Sequence, residues 1–218
     1  MFSFFSKKVV EPKIPPNVCP YCGVLIEKVP TRKSKCLDCG RDIFIRSSQN
    51  LFPTTLLTEA DSKAVALFRP LKDFGVSESD FQKKRDELSK HFGSKASGRD
   101  VIWGLYNNEI TKSIGDLHRQ QMLYYQMALF LNEEGRNPSQ LIEQSNQVYL
   151  QSYKLSGIVK KVGIIAGEKS CPECQENAKK IYSLEDAIKN NPIPCQKCTH
   201  VMEPGKYSFC RCCYSASF

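Results

Sequence analysis

The sequence predicts an α+β protein in three parts: a small cysteine-rich module at each end and an all-α bundle between them. Three observations carry that expectation. All eleven cysteines fall within residues 19–39 and 171–213. Helix start signals recur through the middle of the chain, and short β-branched runs lie beside the cysteines.

The first cluster, Cys19-Pro20-Tyr21-Cys22 and Cys36-Leu37-Asp38-Cys39, has the spacing of a tetrathiolate zinc site. Two C-x-x-C knuckles joined by a short hairpin bring four sulfurs to the corners of a tetrahedron around one Zn²⁺. Gly23 and Gly40 follow the second cysteine of each knuckle, where the chain turns past the metal with positive φ. Val24-Leu25-Ile26 and Ile43-Phe44-Ile45 read as the β-rich arms, and Thr31–Lys35 as the tip between them. Residues 18–46 thus resemble a zinc ribbon, a module so poor in apolar core that metal binding supplies most of its folding free energy. Residues 1–17, with Phe2, Phe4, Phe5 and a proline-rich stretch, read as a flexible arm.

Composition narrows the function classes. With 218 residues, 41% of them hydrophobic, the chain has the makings of a globular protein and not of a disordered tail. No stretch reaches the roughly 18 apolar residues of a membrane span, and the start of the chain lacks signal-peptide character, so a cytoplasmic location is expected. Paired C-x-x-C knuckles in a reducing compartment read as metal ligands, and an odd cysteine total argues against a closed disulfide framework. The net charge of +8 is unevenly spread. Residues 1–50 carry nine Lys/Arg against four Asp/Glu, residues 51–157 thirteen against thirteen, and residues 158–218 nine against six. The basic excess therefore lies in the cysteine modules, with Arg32, Lys33 and Lys35 as candidate contacts for nucleic acid or an acidic protein partner.

The helical domain is expected over 53–157. Thr58 with Asp61, Ser77 with Asp80 and Ser97 with Asp100 each place a capping hydroxyl three residues before an acid, which predicts helices over 59–69, 78–92 and 98–114. The second should bury Phe81, Leu88 and Phe92; the third offers Val101, Ile102, Leu105, Tyr106 and Ile110. A fourth helix is expected over 116–134, with Leu117, Tyr124, Met127, Ala128 and Leu131 on one face. A fifth starts at Asn137-Pro138 and runs to Gly157 through Leu141, Val148, Ser152 and Leu155. The short break between them makes the pair antiparallel. Helical spacing assigns Tyr124, Tyr125, Tyr149 and Tyr153 to packing.

Residues 158–218 form the C-terminal α+β module. Ile158-Val159, Val162–Ile165 and Ile181-Tyr182 read as strands, and Ser183 opens a capped turn. Cys171-Pro172-Glu173-Cys174 supplies one knuckle, and more sulfurs follow than one tetrahedral site can use. Cys171, Cys174, Cys198 and Cys210 are the preferred ligands, with Cys212 or His200 as substitutes for the last and with Cys195 and Cys213 as spare thiols. Two structural Zn²⁺ sites are therefore expected in the chain.

The run from Ser170 through Cys171 and Cys174, Lys180–Ala187, Ile193-Pro194, Cys198-Thr199-His200 and Phe209-Cys210-Arg211-Cys212 resembles the C-terminal cysteine motif of phage head-morphogenesis proteins of the Mu F type. The likeness covers about the last fifty residues and implies a zinc-stabilised domain and a head-assembly role.

An enzymatic alternative is also spelled in this segment. Zinc nucleoside and base deaminases use [H/C]-x-E followed by P-C-x-x-C, with the glutamate shuttling protons to a zinc-bound water. Cys171-Pro172-Glu173 and Pro194-Cys195-Gln196-Lys197-Cys198 fit that pattern. Cys174 crowds the site with a further thiolate, and a catalytic zinc needs an open position, so a closed structural site is the expectation. The chain shows no Gly-rich phosphate loop and no H-E-x-x-H, and His91 and His118 read as helix-surface residues. The leading expectation is a non-enzymatic zinc-binding protein acting as a protein- or nucleic-acid-interaction module.

Overall fold

A computed structural model describes residues 17–47, 49–168, 170–199 and 210–218. The arm expected over 1–17 (Asn17 aside), His200 and Phe209 lie outside the described residues. Among those described, seven helices and two three-stranded antiparallel sheets give an α+β fold. The chain divides into two compact units, Met1–Ile102 and Trp103–Phe218.

In the first unit, β1 (Ser34–Lys35), β2 (Asp42–Ile45) and β3 (Leu56–Leu57) form a sheet in the order β1-β2-β3, with Ile43 opposite Ser34 and Phe44 opposite Leu57. The expected arm over residues 24–26 makes only an isolated bridge, Val18 to Leu25, and Val24 and Leu25 are exposed. The sheet instead recruits Leu56 and Leu57, both fully buried, which gives β2 an apolar partner that exposed Val24 and Leu25 do not supply. Lys35 accordingly sits in a strand and not at the tip.

All three expected caps of the middle region form. Thr58 Oγ1 accepts from the Asp61 N–H at 3.1 Å to open α1 (Glu59–Asp73), and Ser77 with Asp80 makes a reciprocal capping box at α2 (Glu78–Phe92). Ser97 Oγ accepts from the Asp100 N–H at 3.1 Å ahead of α3 (Gly98–Lys112). Helix α1 runs four residues past its expected end and carries Pro70 inside it. Proline forfeits one backbone bond there, but the continuation seats Leu71 in a fully buried position, which offsets the loss. The apolar stripe of α2 is narrower than its sequence suggests: Phe81 is buried edge-on against Phe52 and Phe68, Leu88 is half-buried, and Phe92 is exposed in the final turn.

In the second unit, Asp116 caps α4 (Leu117–Glu133) through the Arg119 N–H, and α5 (Ser139–Ser156) follows a short turn. Pro138 occupies the cap position itself, and Asn137 Oδ1 accepts from the Ser139 N–H at 2.9 Å, so the helix starts one residue later than expected. Ser145 meets the Gln121 carbonyl while Ile142 packs on Ala128, pairings that fix the two helices as antiparallel. The buried face of α5 is Ile142, Ser145, Asn146 and Leu150, whereas Leu155 of the expected face is exposed. Two polar residues turn inward because each has a partner: Ser145 bonds Gln121, and Asn146 Nδ2 donates to the Ile193 carbonyl at 3.0 Å. Buried Glu109 likewise holds Lys112 at 2.7 Å and Arg119 at 2.6 Å.

The second sheet has the order β5-β4-β6, from β4 (Lys161–Ile165), β5 (Ile181–Ser183) and β6 (Cys213–Ser217). Short helices α6 (Pro172–Ala178) and α7 (Leu184–Asn190) flank it. Its core gathers Leu150, Val162, Leu184, Ile193 and Tyr214 around the cysteines, and Tyr149 and Tyr153 of α5 pack against it with their hydroxyls 2.9 Å apart.

Candidate metal centres

The two N-terminal knuckles are built alike. Gly23 and Gly40, at φ 74° and 70°, donate their N–H groups to the carbonyls of Cys19 and Cys36, each at 2.9 Å. The N–H groups of Cys19 and Cys36 in turn donate to the carbonyls of Val24 and Arg41, again at 2.9 Å. This repeated loop points both cysteines of each knuckle inward. A side chain at either glycine would be strained by its left-handed backbone.

The result is a four-sulfur group, Cys19, Cys22, Cys36 and Cys39, whose Sγ atoms all lie within 4.8 Å of one another. Cys19 and Cys39 are 3.9 Å apart, as are Cys22 and Cys36. A tetrahedron with metal–sulfur bonds of about 2.3 Å has edges of about 3.8 Å. A disulfide needs sulfurs at about 2.05 Å, so these are four separate thiols spaced for a cation. Tyr21, between the first two ligands, ties the knuckle to α1 by accepting from the Glu59 N–H at 2.9 Å, with Arg41 over its ring.

Crowding splits the proton affinities of these thiols. Backbone N–H groups of Cys39 and Asp38 bring Cys36 down to about 7. The Val24 N–H favours the Cys22 thiolate, but enclosure and three neighbouring sulfurs push it up to about 12. Without a cation the four sulfurs cannot all ionise; a divalent ion would remove that conflict.

The C-terminal cluster is larger. Cys171 is the N-cap of α6 and Cys174 lies in its first turn, so one helical turn presents both sulfurs. Cys171, Cys174 and Cys198 form one three-sulfur group, and Cys174, Cys195 and Cys210 form another. Cys198 is 3.9 Å from Cys171 and 4.0 Å from Cys174; Cys195 and Cys210 lie 3.5 and 3.6 Å from Cys174. The preferred ligands Cys171, Cys174 and Cys198 thus come together, and Cys210 joins through Cys174. Cys195, expected to be spare, is buried among them and accepts an N–H from Asn177 Nδ2 at 3.3 Å. Its Cys195-x-x-Cys198 spacing was the available signal for that role. Cys213 is exposed, outside both groups. Burial raises the Cys171 thiol, but N–H groups of Cys174 and Thr199 outweigh it and leave it at about 7. Cys174 and Cys210 are pushed up, Cys174 chiefly by burial and Cys210 by its bond to Cys212.

The candidate contact residues are already partly engaged. Lys33 and Lys35 reach Asp42 at 2.8 and 3.3 Å, and Lys33 also lies over the Phe44 ring, while Arg32 is exposed. Beside them an open groove of about 760 Å³ runs along Val24, Leu25, Pro30 and Leu37. Glu173, the deaminase proton shuttle, is half-buried with its Oε2 enclosed and without a hydrogen-bond partner among the described residues. The triad that reading requires, Cys171, Cys195 and Cys198, is not one of the three-sulfur groups among the described residues.

No protein family, curated protein or solved structure matches the chain. No helix of the described residues is long and apolar enough to cross a membrane.

Proposed function

We propose that this chain is a non-enzymatic zinc-binding protein, with structural ions in both cysteine modules, that acts as an interaction module in a reducing, cytoplasmic setting. The observation that supports it most is the spacing of the N-terminal sulfurs at the edge length of a zinc tetrathiolate. An all-sulfur, tetrahedral donor set suits zinc, and four thiolates leave the ion no open position for chemistry. The ion's role is to hold the ribbon-like module in shape and so present its surface.

That surface favours a protein partner over nucleic acid. Two of the three candidate contact cations, Lys33 and Lys35, share one carboxylate, while Val24, Leu25 and Leu37 expose apolar side chains beside them. The test is direct. Metal analysis of the purified chain should find zinc, and Cys36→Ser and Cys171→Ser should each lower the content. Binding to a nucleic acid that falls steeply with salt, and further in a Arg32→Glu/Lys33→Glu/Lys35→Glu variant, would move the reading to nucleic acid.

The deaminase alternative draws on one observation, the enclosed and unpartnered Glu173 Oε2. Turnover of a base or nucleoside that disappears in Glu173→Ala with metal content unchanged would establish it. The head-assembly alternative rests on the motif resemblance alone.

A further inference from the structure

We propose that the C-terminal module holds two zinc ions in one hexathiolate cluster, with Cys174 as a thiolate shared between them. The proposal rests on the zinc-binding reading above and adds to it a second ion and a bridging ligand.

Four observations lead there. Cys171, Cys174, Cys195, Cys210 and Cys212 are buried in one core, at 1–7% exposure, and Cys198 packs against them. Cys174 is the member common to both three-sulfur groups, with three other sulfurs within 4.0 Å of its own. Cys174, Cys195 and Cys210 supply three donors on one side, with Cys212 buried in the same core as a sixth sulfur, while Cys171 and Cys198 meet Cys174 on the other. Asn177 donates to Cys195, the outer hydrogen bond that a metal-bound thiolate receives.

A single tetrahedral ion would use four of these six sulfurs and leave two buried thiols pressed against thiolates. Two ions need eight coordination positions, and six thiolates fill them when two of the six bridge. Cys174, common to both groups, is the bridge that the distances identify, and the second bridge falls to another of the six. Charge does not stand in the way: six thiolates with two Zn²⁺ carry the same −2 as four thiolates with one. Each ion displaces the protons of the thiols it takes up, which leave to solvent.

The experiment uses the full chain, reduced, stripped of metal and reloaded with ¹¹³Cd²⁺, with ions counted by native mass spectrometry and observed by ¹¹³Cd NMR. Three ions per chain are expected, one of them N-terminal, and the two C-terminal resonances should split each other through the shared sulfur. In Cys36→Ser two ions should remain and the mutual splitting should persist; in Cys195→Ser the count should fall from three to two. Two ions in the unaltered chain with no splitting would overturn the shared cluster while leaving the zinc-binding reading intact. One or none would overturn both.

Discussion

The two cysteine modules differ in what would hold them together without metal. The N-terminal one buries only Cys19, Cys36, Ile43 and Leu56 in its own cluster, so two of its four core residues are themselves candidate ligands. The C-terminal one surrounds its sulfurs with Leu150, Val162, Leu184, Ile193 and Tyr214 and closes a five-residue ladder between β4 and β6. Similar ligand chemistry thus sits in one place where it substitutes for a core and in another where it is added to one.

The largest expected effect breaks that symmetry outright. Chelation should remove on the order of 10 kcal/mol of coupled binding and folding energy from the N-terminal module. Hydrogen exchange should then show residues 17–47 losing protection, while α4 and α5 keep theirs. Equal loss in both modules would erase the distinction. Leu150→Ala, at a fully buried position of the second core, should cost about 2–5 kcal/mol in denaturant unfolding without lowering the zinc content. Asn146→Ala should cost less, about 1–3 kcal/mol, because the Ile193 carbonyl it serves loses its buried donor. Acidification should treat the modules alike. Cys36 and Cys171 both sit at about 7, below the usual thiol value. They are thiolates above that pH and take up protons below it, so zinc affinity should fall by about tenfold per pH unit for each proton that competes. Zinc release followed against pH in the unaltered chain and in Cys36→Ser, which keeps only the C-terminal sites, would check this.

Much of this architecture was legible in local chemistry. Thr58, Ser77, Ser97 and Ser183 each cap the helix their sequence announces, because a cap depends on residues three apart. The N-terminal knuckles were legible for the same reason: each is closed by hydrogen bonds within five residues. What escaped depended on distant partners. The sheet took Leu56 and Leu57 in place of residues 24–26, and α5 turned Ser145 and Asn146 inward toward Gln121 and Ile193. Cys195 read as spare because spacing alone does not show which sulfur meets Cys174.

The central claim is that packed thiolates hold a cation at each end of the chain. Zinc quantified in freshly purified protein, beside a titration of its free thiols, tests it most directly. The account predicts tightly bound zinc in both modules, at least one equivalent lost in Cys36→Ser, and thiols that react only after chelation. Folded, metal-free protein whose cysteines titrate freely or are joined as disulfides would contradict it.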